Sequence, residues 1–300
     1  MHNTPSEDDR QAAIADGRLA NVRAVLTSSS QGIGRELLDA MPNLELLCCN
    51  GVGYDKLDLG DLRRRGLIVT HSPGVISPFV AEHAIALLLA TVRRIPHVDG
   101  AVRRGDWAKA RDQLPTVLGG RVGIVGLGQI GREVARRAAA GFDMSVAYHG
   151  RRPHPDVAYR YYGDLKELAA ASDFLVLSCS GDESTHHIVD AGVLEALGPE
   201  GYLVNVARGS VVDTAALTDA LRRQRIAGAG LDVIEGEPDV PADILALANV
   251  VITPHLGGRS TRAQSAMLDL VIRNLRAHFA GQPAPTPIPE WRGGAAAATS

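Results

Sequence analysis

The sequence predicts an α/β chain with parallel sheets covered by helices, organised as one larger and one smaller domain. Three observations carry this expectation. From Gly120 onward, short apolar runs alternate with stretches of helical periodicity; a glycine turn sits where one of these runs meets a helix; and the part before it repeats the alternation on a smaller scale. Strand–helix–strand alternation implies right-handed crossovers, a parallel doubly wound sheet, and ligand loops at the carboxyl ends of the strands.

In the second part the strand-like runs are residues 122–125, 144–148, 174–178, 202–206, 227–233 and 250–253, with helices expected over 130–140, 165–171, 191–197 and 215–224. In the first part, strands at 24–27, 44–49 and 68–70 frame helices at 34–40 and 57–65. A long apolar helix over 80–92 lies between the two parts. The stretch 105–119 that follows is irregular and contains Trp107, which suggests an extended arm or an oligomer contact. Residues 293–300 are low in complexity and are expected to be disordered.

Three hundred residues with 45% hydrophobic content suffice for one large or two medium cores. The net charge of −3 leaves no basic footprint for nucleic acid, so a small molecule is the default ligand. The polar start MHNTPSEDDR is no signal peptide, and no run reaches the roughly 18 apolar residues of a membrane span. Cys48, Cys49 and Cys179 fall inside strand-like runs, as expected for buried, reduced thiols in a cytoplasmic protein.

Residues 121–131 read RVGIVGLGQIG, an apolar run closing on Gly126-x-Gly128-x-x-Gly131 and continuing as an amphipathic helix. A dinucleotide needs this arrangement. The first glycine makes the tight turn, the second lets the backbone approach a pyrophosphate, and the third lets helix pack on strand. The helix start offers free N–H groups to the phosphates, so Gly126, Gly128, Gln129, Ile130 and Gly131 are candidate cofactor contacts.

The next strand runs into His149-Gly150-Arg151-Arg152-Pro153. An NAD site usually has an acid here for the ribose 2′-hydroxyl. Gly150, Arg151 and Arg152 stand there instead, and a guanidinium suits a 2′-phosphate, so NADP(H) is preferred with NAD(H) possible. A merely solvated pair is the alternative, since other arginine pairs occur at 93–94, 103–104, 136–137 and 222–223.

Two patterns imitate short-chain dehydrogenases: residues 27–34, TSSSQGIG, and Tyr162-x-x-x-Lys166. The first has Ser28 where the opening glycine belongs, and the second lacks its upstream serine, His149 standing there. Tyr162 and Lys166 then read as the start of a helix.

Three ionisable clusters follow at strand ends: Asn205-Val-Ala-Arg208-Gly209, Asp232-Val-Ile-Glu235-Gly-Glu237-Pro238 and Thr253-Pro-His255-Leu-Gly-Gly258. Together with residues 50–55 (NGVGYD), Pro73-Gly-Val-x-x-x-x-Val80-Ala-Glu82 and the glycine turn, they occur in the order of one family. From about Ala24 to Ile288 the chain resembles the D-isomer-specific 2-hydroxyacid dehydrogenases, and among them the hydroxypyruvate and glyoxylate reductases.

The resemblance implies two Rossmann/flavodoxin-like domains, a cofactor domain at 75–260 and a smaller discontinuous substrate domain at 1–74 plus 261–300. It implies an NADPH-preferring reductase of small 2-keto acids, with catalytic Arg208, Glu237 and His255. His255 would be the general acid, Glu237 would hold and charge its ring, and Arg208 would grip carboxylate and carbonyl. The N–H groups of Val52 and Gly53 would hold the remaining carboxylate oxygen, Asp232 would meet the nicotinamide carboxamide, and Ser77 and Ala207 would be further cofactor contacts. Two connecting helices would form a hinge whose closure excludes water, and the 105–119 arm would make a homodimer.

No metal is expected, although Asp232, Glu235, Glu237 and His255 could be imagined as ligands: no second histidine is suitably spaced. His186 and His187 read as solvated, and Glu235 as exposed. The chain departs from the family in starting late, which leaves a strand of the substrate domain in question, and in carrying Gly258 and bulky Arg259 after the histidine. No regulatory extension follows Ile288, unlike the long phosphoglycerate dehydrogenases, and Glu rather than Gln as the histidine's partner argues against formate dehydrogenase. Two other readings remain, an NAD(H)-sensing corepressor-like binding protein and a short-chain-type dehydrogenase.

Overall fold

A computed structural model describes residues 6–28, 31–108 and 110–291. The first half of the chain contains α1 (Glu7–Ala15), β1 (Ala24–Ser28), α2 (Arg35–Asp39), β2 (Leu46–Asn50), α3 (Leu59–Arg64), β3 (Ile68–Thr70), α4 (Ser77–Val92), α5 (Ile95–Arg103), β4 (Arg121–Val125), α6 (Gln129–Phe142) and β5 (Ser145–His149). Then come β6 (Arg160–Tyr162), α7 (Leu165–Ala170), β7 (Phe174–Leu177), α8 (Ala191–Leu197), β8 (Tyr202–Asn205), α9 (Thr214–Arg222), β9 (Gly228–Leu231), α10 (Ala242–Leu245), β10 (Val250–Ile252) and α11 (Thr261–Phe279). The expected tail at 293–300 and Lys109 of the arm lie outside the described residues.

The chain divides into two compact units, Met1–Ile76 with Thr261–Ser300, and Ser77–Ser260. The first division falls after Ile76 rather than Gly74, because Ser77 already begins α4.

In the first unit β1, β2 and β3 form a parallel sheet in that order, with Leu46 between Ala24 and Ile68. The central strand is buried on both faces, which is why it reads Leu-Leu-Cys-Cys rather than alternating. Leu47 and Cys49 pack with Ala13, Leu38, Met41 and Leu62, whereas Leu46 and Cys48 pack with Val271 of α11. Beyond β3 the chain near Pro287 runs antiparallel, His71 N–H donating to Thr286 O at 3.1 Å and Ile288 N–H to Val69 O at 3.0 Å.

The second unit holds a seven-stranded parallel sheet in the order β10-β9-β8-β7-β4-β5-β6. From β4 the chain moves outward through β5 and β6, then returns to β7 on the other side of β4 and continues outward through β10. The order reverses between β4 and β7, and ligands bind sheets of this kind at the carboxyl side of such a switch. The loops after β4 and β7 meet there: a Cβ on Gly126 would lie 2.6 Å from Cys179 Cα.

One expectation is corrected locally. Tyr162 ends a short strand instead of opening a helix; His149 Nδ1 lies 3.0 Å from its carbonyl oxygen, and α7 starts only after Asp164, whose carboxylate accepts from the Lys166 and Glu167 N–H groups. A three-residue edge strand has too few side chains to show a period.

Candidate active site

The glycine turn has the shape a dinucleotide requires. Gly126 is in the left-handed region at φ +89°, where side chains are strained. Gly131 packs so closely that a Cβ would sit 2.2 Å from Gly126 O. At Gly128 a Cβ would meet nothing within 4 Å, so the turn is open there. Gly128 is also the N-cap of α6, with no side-chain cap, which leaves the first-turn N–H groups of Gln129, Ile130 and Gly131 for an anion.

Gly150, Arg151 and Arg152 follow β5, whose last residue, His149, accepts from the Gly126 N–H of this turn at 2.9 Å. Both guanidinium groups are exposed and lack salt bridges among the described residues, although the charge of Arg151 helps to keep the Asp182 carboxyl below its ordinary value after hydrogen bonds from Ser180 and Ser184. Arg103, Arg136, Arg137, Arg222 and Arg223, from the competing pairs, each hold a carboxylate. Ser77, at the first residue of α4, is 3% exposed and its hydroxyl has no partner among the described residues, an orphaned polar group of the kind a ligand satisfies.

Arg208 follows β8 in a turn closed by buried Asn205, whose Nδ2 donates to Arg208 O at 2.9 Å and whose Oδ1 accepts from Ala207 N–H at 3.0 Å. The Ala207 carbonyl in turn accepts from Arg208 Nη1 at 2.8 Å. Two glycines that carry no chemistry make room for it. A Cβ on Gly181 would strike Arg208 Cγ at 2.2 Å, and one on Gly209 would strike the Ile234 carbonyl carbon at 2.2 Å. The first lets the arginine stem pass and the second packs the Arg208 turn against the Glu235–Glu237 segment.

His255 lies in the loop after β10 with φ +56°, and its Nδ1 is 2.8 Å from Glu237 Oε1. Burial of Glu237 opposes its charge, but the His255 hydrogen bond and the charges of His255 and Arg208 outweigh it and hold the carboxyl below its ordinary value. Arg208, Glu237 and His255 therefore form one electrostatic group.

Asp232 is 3% exposed. Its carboxylate accepts from Thr253 Oγ1 at 2.6 Å, Leu256 N–H at 2.7 Å and Gly257 N–H at 2.8 Å, while its backbone oxygen accepts from His255 N–H at 2.9 Å. His83 Nε2 is 3.1 Å from the same carboxylate. Desolvation raises its pKa, yet His83, Thr253 and the two amides overcome this and bring it down to about 2. Asp232 is thus an ionised anchor for the loop that carries His255. The sequence pointed to Asp232 as a cofactor contact and gave no sign of His83.

Glu235 is not exposed and His187 is not simply solvated. Glu235 Oε1 lies 2.7 Å from His187 Nε2, and its other oxygen is 3.3 Å from Thr214 N–H. His186 stacks on His187, and the three residues bring ligand atoms within 4.8 Å of one another. The 2.7 Å contact is a hydrogen bond; tetrahedral zinc ligands at about 2.0–2.1 Å would stand roughly 3.3 Å apart.

In the other unit, Val52 and Gly53 sit in the loop after β2. His71 Nδ1 is 3.0 Å from Val52 O, Cys49 Sγ donates to Gly53 O at 3.3 Å, and Asn50 Oδ1 is buried without a partner among the described residues. Both carbonyls are thus engaged within the unit.

Residues 85–257 match the family described as D-isomer specific 2-hydroxyacid dehydrogenase, NAD binding domain. The chain belongs to this family. It is 46% identical over 285 residues to a hydroxyphenylpyruvate reductase of Plectranthus scutellarioides, covering 95% of this chain and 90% of that protein. It is 45% identical over 269 residues to a glyoxylate/hydroxypyruvate reductase of Arabidopsis thaliana, covering 89% and 86%. Among solved structures, the NADPH-dependent glyoxylate/hydroxypyruvate reductase of Sinorhizobium meliloti in complex with NADP and malonate superposes with a TM-score of 0.85 at 42% identity, covering 91% of this chain and 86% of that one. As a D-2-hydroxyacid dehydrogenase the protein is an oxidoreductase with a Rossmann-type domain for a nicotinamide cofactor. Among its described residues no helix is long and apolar enough to cross a membrane.

Proposed function

We propose that this enzyme is an NADPH-preferring reductase of small 2-keto acids, with glyoxylate and hydroxypyruvate the leading substrates. The observation that carries the reading is the His255–Glu237 hydrogen bond of 2.8 Å beside Arg208, on loops at the carboxyl side of the sheet. The open space at Gly128, the Ser77 hydroxyl without a partner and the two arginines outside any salt bridge, all among the described residues, support the dinucleotide site. A bound nicotinamide supplies the hydride for C2 of the keto acid. Arg208 binds the carboxylate and polarises the carbonyl through its planar fork. With Nδ1 held by Glu237, the imidazolium delivers its proton from Nε2 to the developing alkoxide, and the Glu237 carboxylate steadies the ring's charge and orientation until that transfer.

A steady-state panel of glyoxylate, hydroxypyruvate, 4-hydroxyphenylpyruvate and 2-ketogluconate with NADPH and NADH tests the reading. The smallest acids with NADPH should give the highest kcat/KM, and His255→Ala should lower kcat by about 10²- to 10⁴-fold with NADPH affinity kept. Intact His255→Ala with near-normal kcat refutes His255 as the acid. Negligible turnover by the wild type, with normal cofactor binding, establishes a sensing protein instead.

The exposed side chains of Ile95, Trp107 and Leu118, at 54%, 67% and 63%, support a homodimer formed through α5 and the arm after it. Light scattering should give twice the chain mass at micromolar concentration, and a monomer mass with full activity refutes the dimer. Three free cysteines fit a cytoplasmic setting.

A further inference from the structure

β9 reads Gly-Ala-Gly-Leu, and its glycines leave no room for side chains. A Cβ on Gly230 would lie 2.8 Å from Thr91 Oγ1 and 3.2 Å from Leu87 Cβ, both on α4. The helix can therefore press directly on the strand. His83 lies four residues, one helical turn, before Leu87, and this close approach brings its ring level with the residues that follow β9 and β10. Its Nε2 stands 3.1 Å from Asp232 Oδ1 and 2.9 Å from Thr253 Oγ1.

The direction of these hydrogen bonds follows from counting protons. Thr253 has one hydroxyl hydrogen, and the 2.6 Å contact to Asp232 Oδ1 uses it. Toward both Thr253 and the carboxylate, His83 Nε2 must then be the donor. The anion thereby gathers a ring N–H, a hydroxyl and two backbone amides, and the amides belong to Leu256 and Gly257, directly after His255.

We propose that His83 is a positioning residue: its Nε2–H, clamped between Asp232 and Thr253, fixes the loop that presents His255 to the substrate. The proposal rests on the reading of His255 as the proton donor. His83 touches neither cofactor nor substrate in this account; it acts through Asp232. His255 has a left-handed backbone, a conformation that persists only where surrounding contacts impose it. The His255 N–H bond to Asp232 O, the two amide bonds and the His83 clamp are those contacts.

The test compares His83→Gln, which places an amide donor near the Nε2 position, with His83→Leu, which fills the space without a donor. His83→Leu should lower kcat about 10- to 100-fold, the loss a small misplacement of a catalytic group brings, with NADPH affinity within about threefold of wild type. His83→Gln should recover most of the lost rate. Hydrogen exchange in the segment 253–260 should be faster in His83→Leu and close to wild type in His83→Gln. Equal rates in the two variants, or unchanged exchange in His83→Leu, overturn the proposal. A loss of NADPH affinity matching the loss of kcat also overturns it. Should His83→Leu fail to fold, Thr253→Val removes the hydroxyl from the same clamp, and unchanged kcat and exchange there overturn the proposal. A wild type inactive with every 2-keto acid defeats the functional reading alone, and the exchange measurement then decides on the clamp.

Discussion

Gly128→Ala separates cofactor recognition from folding, because the glycine's empty Cβ position faces no protein atom within 4 Å. Its backbone, φ −78° and ψ −159°, is extended with a negative φ, at the border of the β region open to alanine. Reduced freedom of the unfolded chain should stabilise the variant by about 0.4–1 kcal/mol, and the poorer N-cap should cost a similar amount, roughly 0.5–1 kcal/mol. The two offset, so unfolding free energy should stay within about 1 kcal/mol of wild type. The new methyl would occupy the approach of the pyrophosphate and remove one charge-assisted hydrogen bond, about 1.5–3 kcal/mol, or about 10- to 100-fold in affinity. Gly131→Ala is the contrast: its Cβ would stand 2.2 Å from Gly126 O, so overpacking of about 1–3 kcal/mol should destabilise the fold. Urea unfolding and NADPH fluorescence titration read the two quantities separately. Unchanged NADPH affinity in Gly128→Ala would refute the assignment of this turn to the phosphates.

Replacing Arg151 and Arg152 together by alanine should weaken NADPH while leaving NADH nearly unchanged, since neither guanidinium holds a protein carboxylate among the described residues; equal losses for the two cofactors would refute the 2′-phosphate assignment. Asp232, held at about 2 against an ordinary 3.8, stabilises the fold above pH 4 by about 2 kcal/mol, and this contribution disappears as pH falls through about 2. Because the folded-state value is the lower one, the stability gap between wild type and Asp232→Asn should narrow on acidification, by about 1 kcal/mol at pH 3. Urea midpoints at pH 6 and pH 3 measure it, and a gap independent of pH would sink the anchor role.

Much of this fold is legible in the sequence because a parallel sheet writes its strands as separate apolar runs. Each expected strand in both units is present within a few residues. What the sequence hides has physical reasons. β6 is three residues long, and α11 carries a stripe at Ala263, Met267, Leu270 and Val271 that continues into buried Asn274. That asparagine is tolerated inside because Nδ2 donates to Leu270 O and Thr286 Oγ1 and Oδ1 accepts from Thr286 N–H. At the site, His255, Glu237 and Arg208 stand out as ionisable groups at strand ends. His83 does not, because it sits in an apolar helix and its partners are about 150 to 170 residues away. The partner of Glu235 is hidden for the same reason: its contact with His187 spans 48 positions.

The bare strand β9 has a consequence for how this enzyme can vary. A single methyl at Gly230 would press α4 away from the sheet, and the displacement would arrive one helical turn along at His83, which holds the loop. Sensitivity to substitution should then follow the line Gly230–Leu87–His83–Asp232 rather than distance from the reacting atoms. A designer seeking a new substrate could respect every contact around Arg208 and still lose the enzyme at a residue that has no side chain at all.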